Sequence, residues 1–145
     1  MKQKDALEIM QMGYNVFLTG EAGTGKTHTL NRYISFLRKK HIPLAVTAST
    51  GIAATHLDGV TVDSWSGLGI HDEISVEELH QLARKFHLKQ RLQKVKVLII
   101  DEVSMIHGRR FDATNKIVKF LRKSDLPFGG IQVILSGDLF QLPPV

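Results

Sequence analysis

The chain has 145 residues and a composition ordinary for a globular protein, which suits one domain with a real core. It contains no cysteine, so disulfides and thiolate metal sites are excluded. A formal net charge of +5 permits a polyanionic partner without demanding one.

The N-terminal "MKQKDALEIM" lacks the apolar core of a signal peptide, and no apolar run approaches the ~18 residues of a membrane helix. A soluble cytosolic protein is the resulting expectation. A first helix is predicted over about Lys2 to Met12, stopped at Gly13. "NVFLT" then reads as a buried strand, Asn15 to Thr19. A helix with Leu30, Ile34 and Leu37 at helical spacing is predicted from Lys26 to about Lys39.

Between that strand and that helix lies "GEAGTGKTH". The spacing Gly20-x4-Gly25-Lys26-Thr27 fits the phosphate-binding loop. Gly20, Gly23 and Gly25 let the backbone approach a ligand closely. Successive N–H groups make an anion nest, and the following helix adds the positive end of its dipole. The nucleotide-binding stretch expected from this pattern is Gly20, Glu21, Ala22, Gly23, Thr24, Gly25, Lys26, Thr27 and His28. Lys26 is placed to reach the β- and γ-phosphates, and the Thr27 hydroxyl to bind Mg²⁺.

Further along, "IPLAVTA" predicts a strand at Leu44 to Ala48, after the Pro43 break. "STGIAATHL" opens with good caps and reads as a short helix. "GVTVDSWSGLG" reads as irregular, punctuated by Gly59, Gly67 and Gly69. Ser75 and Glu78 form a capping box for a helix extending to about Arg91. Arg84, Lys85, Lys89, Arg91, Lys94 and Lys96 make a basic segment that is either a solvated face or a face toward DNA. Seven histidines show no tight ligand spacing; His80 and His87 stand two helical turns apart.

"VKVLIID" is a buried strand ending in Asp101 and Glu102, the shape of a Walker B element. An acid at such a tip can hold Mg²⁺ beside the loop threonine, and the next acid can deprotonate an attacking water. Two adjacent carboxylates repel without a cation, which itself argues for Mg²⁺. "RFDATNKIVKFLRK" is an amphipathic helix with Phe111, Ile117, Val118 and Leu121 facing inward. "PFGG" is a turn and "IQVILSG" a last strand. Beyond it, Gln141 is a neutral amide suited to sensing a γ-phosphate. Strands alternating with helices predict an α/β fold of the P-loop NTPase type, a parallel sheet between helices, with ligands at the carboxyl ends of the strands.

In this order, "GEAGTGKT", "TASTGIAA", "IIDEVSM" and "LSGDLFQLPPV" resemble helicase motifs I, Ia, II and III of the Pif family of superfamily one, the petite-integration-frequency DNA helicases. The resemblance spans essentially the whole chain. It implies a first RecA-like motor domain, 1–145, of an ATP-dependent 5′-to-3′ DNA helicase working on single-stranded and forked DNA, as a monomer, in repair, recombination or genome maintenance. Such a protein, if bacterial or viral, would be cytoplasmic and nucleoid-associated. The resemblance gives Gln3, ten residues before Gly13, the role of reading adenine, which would favour ATP over GTP; a plain polar helix residue is the alternative. Ser49, Thr50 and Gly51 would grip a single-strand backbone, and Ser64 and Trp65 fall in the family's next DNA-contacting segment. There the indole either stacks on a base or packs in the core. The family commonly has His where this chain has Asp63, and a carboxylate beside a phosphate track is unhelpful, so Asp63 is expected to point away. The chain ends just after motif III, so the second RecA-like domain, with its arginine finger, is expected to be missing. A non-helicase P-loop ATPase and a binding module without turnover remain the alternatives.

Overall fold

Five parallel strands in the order β1-β5-β4-β2-β3 form one sheet in the computed structural model, which describes residues 2–21 and 25–138. The strands are β1 (Val16–Thr19), β2 (Leu44–Ala48), β3 (Val60–Thr61), β4 (Val97–Asp101) and β5 (Gln132–Gly137). Around them run α1 (Gln3–Gln11), α2 (Lys26–Lys39), α3 (Gly51–His56), α4 (Val62–Ser66), α5 (Val76–Ala83), α6 (Phe86–Lys94) and α7 (Gly108–Arg122). This is the expected α/β architecture.

The central strand explains the layering. All of β4 is buried, and its side chains alternate between two cores. Val97 and Ile99 pack with Leu7 and Met10 of α1 and Leu30, Ile34 and Leu37 of α2. Leu98 and Ile100 pack with Trp65, Leu88, Leu92, Ile117 and Leu121 on the opposite face. A strand buried on both faces reads as a continuous apolar run, which is why "VLII" was recognisable. The alternation carries Asp101 to the α1/α2 face, where the phosphate-binding loop lies.

Two expectations need correction. The helix predicted from Ser75 to Arg91 is two helices, α5 and α6, broken at Arg84 and Lys85. On one unbroken helix Leu82 and Leu88 would point about 120° apart, at ~100° per residue. Both belong to the same core, so the chain turns between them. Core burial outweighs helix continuity, and no glycine or proline marks the site. The stretch read as irregular contains β3 and α4. These are two and five residues long, too short for a periodicity to show.

The capping box is present, with Ser75 Oγ accepting from Glu78 N–H at 3.1 Å and Glu78 Oε1 accepting from Ser75 N–H at 3.2 Å. Hydrogen bonding from the Ser75 hydroxyl, and then from its N–H, holds the Glu78 carboxyl below the usual carboxylate range. A depressed folded-state value adds stability above the unfolded-state value and loses it as pH falls through the folded one. Ser75→Ala is therefore expected to lower the thermal midpoint at neutral pH and to lower it less in acid below the carboxylate range. Thermal denaturation of both forms across pH checks this; an equal drop at every pH contradicts it.

Candidate active site

Strand β1 delivers the chain to Gly20, and Gly25 caps α2 in the left-handed region with φ 88° and ψ 13°. Residues 22–24, which hold Ala22, Gly23 and Thr24, lie outside the described residues. Lys26 Nζ donates to the Gly20 carbonyl, so the lysine bridges the two ends of the loop. Thr27 and His28 sit exposed on the first turn of α2, and Glu21 is exposed beside Gly20. Thr29 Oγ1 donates to the Gly25 carbonyl at 3.0 Å, tying the turn to the helix.

Gln3 is brought against this turn. A Cβ added at Gly25 would collide with the Gln3 side-chain amide, with Gln3 Cδ only 2.9 Å away. Position 25 thus favours glycine for its φ, and any side chain there would also displace the Gln3 amide. Gln3, Ala6, Val16, Gly20, Gly25 and Lys26 line a cleft of about 510 Å³ between α1 and the loop.

On the neighbouring strand tip, Asp101 is 7% exposed. Its Oδ1 accepts the Glu102 backbone N–H at 2.9 Å. Glu102 itself adopts φ 55° and ψ 41°, a left-handed conformation that a side chain seldom takes and that clusters at functional sites. The turn swings the second carboxyl away from the strand axis. Burial pushes the Glu102 pKa up, and the Asp101 and Asp138 carboxylates push the same way, while Lys26 and His56 oppose them. Five ionisable groups from β4, β5, α2 and α3 thus share one electrostatic neighbourhood. A carboxyl whose pKa is raised in this way is a stronger proton acceptor than an ordinary carboxylate.

Asp138 and His56 were not among the residues singled out from sequence. Asp138, 8% exposed at the end of β5, was visible as an acid at a strand tip. His56 carries no local signal; only the fold from β2 through α3 brings it near Glu102. Gln141 lies outside the described residues.

The donors suit a hard cation. Thr27 and Asp101 offer oxygen, and Asp101 Oδ1 is already occupied by a backbone N–H, leaving its second oxygen for a ligand. Among the described residues, the buried hydroxyls of Ser49, Ser104 and Ser136 have no hydrogen-bond partner. The register sets Ile100 opposite Leu135, which brings Asp101 and Ser136 to one tip. Unpaired buried hydroxyls there are what a site for a hydrated ion and an anion leaves behind.

Motif Ia starts at the same edge. Ala48 stands opposite Asp101, and Ser49 N–H donates to the Asp101 carbonyl at 3.1 Å. Thr50 caps α3, its Oγ1 accepting from Ala53 N–H at 3.2 Å, and keeps its own proton to donate. Gly51 is exposed, with open space where a Cβ would stand. Ser64 is exposed on α4. Trp65 is only 4% exposed and packs in the larger core, the second of the two readings that the sequence left open. Asp63 is paired within the protein: its Oδ2 accepts from the Arg110 guanidinium at 2.7 Å. In the basic segment, Arg91 donates inward to the Trp65 carbonyl at 2.7 Å.

The chain is similar in sequence and fold to known helicases. Residues 2–145 match the model of a family described as PIF1-like helicase. The chain is 58% identical over 145 residues to the ATP-dependent DNA helicase Pif1 of Psychrobacter sp. (strain PRwf-1), covering 100% of this chain and 22% of that protein. The crystal structure of Pif1 helicase from Candida albicans matches with a TM-score of 0.90 and 42% identity, over 99% of this chain and 33% of that one. The Pif1 helicase from Bacteroides in complex with ADP-AlF3 and ssDNA matches with a TM-score of 0.83 and 39% identity, over 99% of this chain and 33% of that one. The chain therefore spans 22% to 33% of the length of these relatives.

Substituting Gly25→Ala is expected to weaken nucleotide affinity about tenfold or more, since a left-handed alanine costs ~1–2 kcal/mol and Gln3 must move. Titration with a fluorescent ATP analogue measures it, and an unchanged affinity contradicts the arrangement.

Proposed function

The chain belongs to the PIF1-like helicase family, and on that premise we propose that it is the first RecA-like motor domain of an ATP-dependent DNA helicase. The observation that carries this reading is the meeting of three motifs at one end of the sheet: Lys26 bonds across the loop to Gly20, the Asp101 carboxylate and Glu102 stand at the tip of β4, and the Ser49 N–H bonds to the Asp101 carbonyl.

ATP is the substrate of the proposed reaction. The loop amides and Lys26 hold its phosphates, and the Gln3 amide, already lying on the loop, reads adenine. Thr27 and Asp101 are the residues that hold Mg²⁺, which when bound offsets the charge on the β- and γ-phosphates. Glu102 takes a proton from the attacking water as its oxygen bonds to the γ-phosphorus and the bond to the β-phosphate oxygen breaks, giving ADP and phosphate. Asp101 is not assigned this work, because one of its oxygens accepts the Glu102 amide and the other is given to Mg²⁺. Gln141 is assigned to sensing the γ-phosphate.

Single-stranded DNA is the proposed partner, gripped through its backbone by Ser49, Thr50 and Gly51 and touched by Ser64. Hydroxyl and backbone contacts suit phosphates and carry no base preference. The hydrogen bond from Ser49 to Asp101 supports a direct link between this grip and the hydrolytic site. The solved Bacteroides relative, in complex with ADP-AlF3 and ssDNA, supports both ligands. Movement from 5′ to 3′, opening of forked DNA, action as a monomer, an arginine finger on a second RecA-like domain and a role in repair or recombination are proposed from the family resemblance. No helix among the described residues is long and apolar enough to cross a membrane.

The test is ATP hydrolysis by the intact protein with and without single-stranded DNA. Stimulation by DNA is expected, and Glu102→Gln is expected to cut turnover by roughly 10²–10⁴-fold while nucleotide still binds. Robust turnover indifferent to DNA would overturn the helicase reading and leave an ATPase coupled to another partner.

A further inference from the structure

One arginine outside the nucleotide site makes an unusual set of contacts. Arg110 lies in the first turn of α7, with its side chain 17% exposed. Its NH2 donates to Asp63 Oδ2 at 2.7 Å and to the Gly69 carbonyl at 2.6 Å. Its NH1 donates to the His71 carbonyl at 2.8 Å, Asp72 Oδ1 at 3.0 Å and the Ile70 carbonyl at 3.3 Å. Of the residues bound, Asp63 lies in α4 and residues 69–72 lie in the loop that follows it. These interactions keep the guanidinium charge secure against its burial.

We propose that Arg110 is a positioning residue for single-stranded DNA binding: it holds α4, and with it Ser64, in the orientation that meets the DNA backbone, and it neutralises Asp63 and Asp72 beside that track. This rests on the DNA-binding reading given above. Three physical points carry it. Helix α4 has five residues, too few to hold itself in place, so its pose depends on tertiary contacts. Asp63 and Ser64 are consecutive, so a contact fixing one fixes the other. A carboxylate next to a phosphate path repels it unless paired, and Arg110 is the cation that pairs Asp63. Only a guanidinium presents enough donors in a planar fork to reach two carboxylates and three carbonyls; a lysine ammonium has three donors.

The experiment compares Arg110→Gln, Arg110→Lys and Arg110→Gln/Asp63→Asn with the unaltered protein. The readouts are affinity for a fluorescent oligothymidylate at two salt concentrations, the DNA concentration giving half-maximal ATPase stimulation, basal ATPase rate and thermal midpoint. Arg110→Gln is expected to weaken DNA affinity about tenfold, most at low salt, and to raise the half-maximal DNA concentration in parallel, with basal turnover within about twofold. Arg110→Lys restores the charge but not the fork, and is expected to recover part of the affinity. Adding Asp63→Asn removes the uncompensated carboxylate and is expected to recover part of it too.

DNA affinity within twofold of the unaltered protein in Arg110→Gln overturns the proposal. So does a parallel loss of basal turnover and DNA affinity with a collapsed thermal midpoint in both Arg110→Gln and Arg110→Lys, which marks a purely structural residue. If the unaltered protein itself shows no affinity for the oligonucleotide, the DNA-binding reading fails first, and the proposal falls with it.

Discussion

A strand buried on both faces tolerates charge only at its tip, and β4 is that strand. Its four apolar residues have no water on either side, so Asp101 marks the first place where an ion can stand. Everything chemical in the domain is arranged around this point. The parallel register lines the ends of β1, β2, β4 and β5 along one edge. The loop after β1 then faces the acids after β4, and the serine after β2 bonds to the Asp101 carbonyl. Had β4 slipped by one residue, Asp101 would face the opposite core and meet Trp65 and Ile117 instead of the loop.

What was legible in the sequence follows from this same constraint. The motifs sit where strands end, and a strand end is marked locally by the switch from apolar to polar residues. The loop, the Walker B acids and the helices α2 and α7 could be read because each signal lies within a few residues. Trp65, the break between α5 and α6, and the position of His56 could not. Each depends on which face of the sheet a distant segment packs against, and one sequence carries no record of that. Trp65 shows the difference most plainly. Its neighbours in sequence, Ser64 and Ser66, are polar, yet its ring is in the core because five residues of helix turn it toward Leu88 and Leu92.

The juxtaposition of Gln3 and Gly25 is intermediate. A glutamine at a fixed interval before a strand could be noted, but two readings of it were open. The contact between its amide and the loop turn joins residues 22 positions apart, and the packing of Leu7 and Met10 against Leu30 and Ile34 makes it possible. Sequence supplies the residue; the α1–α2 interface supplies the meeting.

The arginines of the opposite layer show why net charge was a poor guide to partners. The layer that covers the second face of the sheet sets α7, fifteen residues long, beside three short helices, five, eight and nine residues long in α4, α5 and α6. A short helix has as many unsatisfied terminal carbonyls as a long one, so the proportion left over is high. Arg122 donates to the carbonyls of Leu92, Gln93 and Val95 at the end of α6 and to that of Gly129. Arg91 donates to the carbonyls of Ser64 and Trp65 in α4, and Arg110 to those of the loop that follows. Burial lowers the pKa of Arg122, the expected cost of using a cation for this work, yet a guanidinium stays charged through such a shift. Three of the cations behind the +5 balance are therefore turned toward the protein's own backbone. A basic composition that looks like an offer to DNA is in part the means by which short helices are held on a sheet.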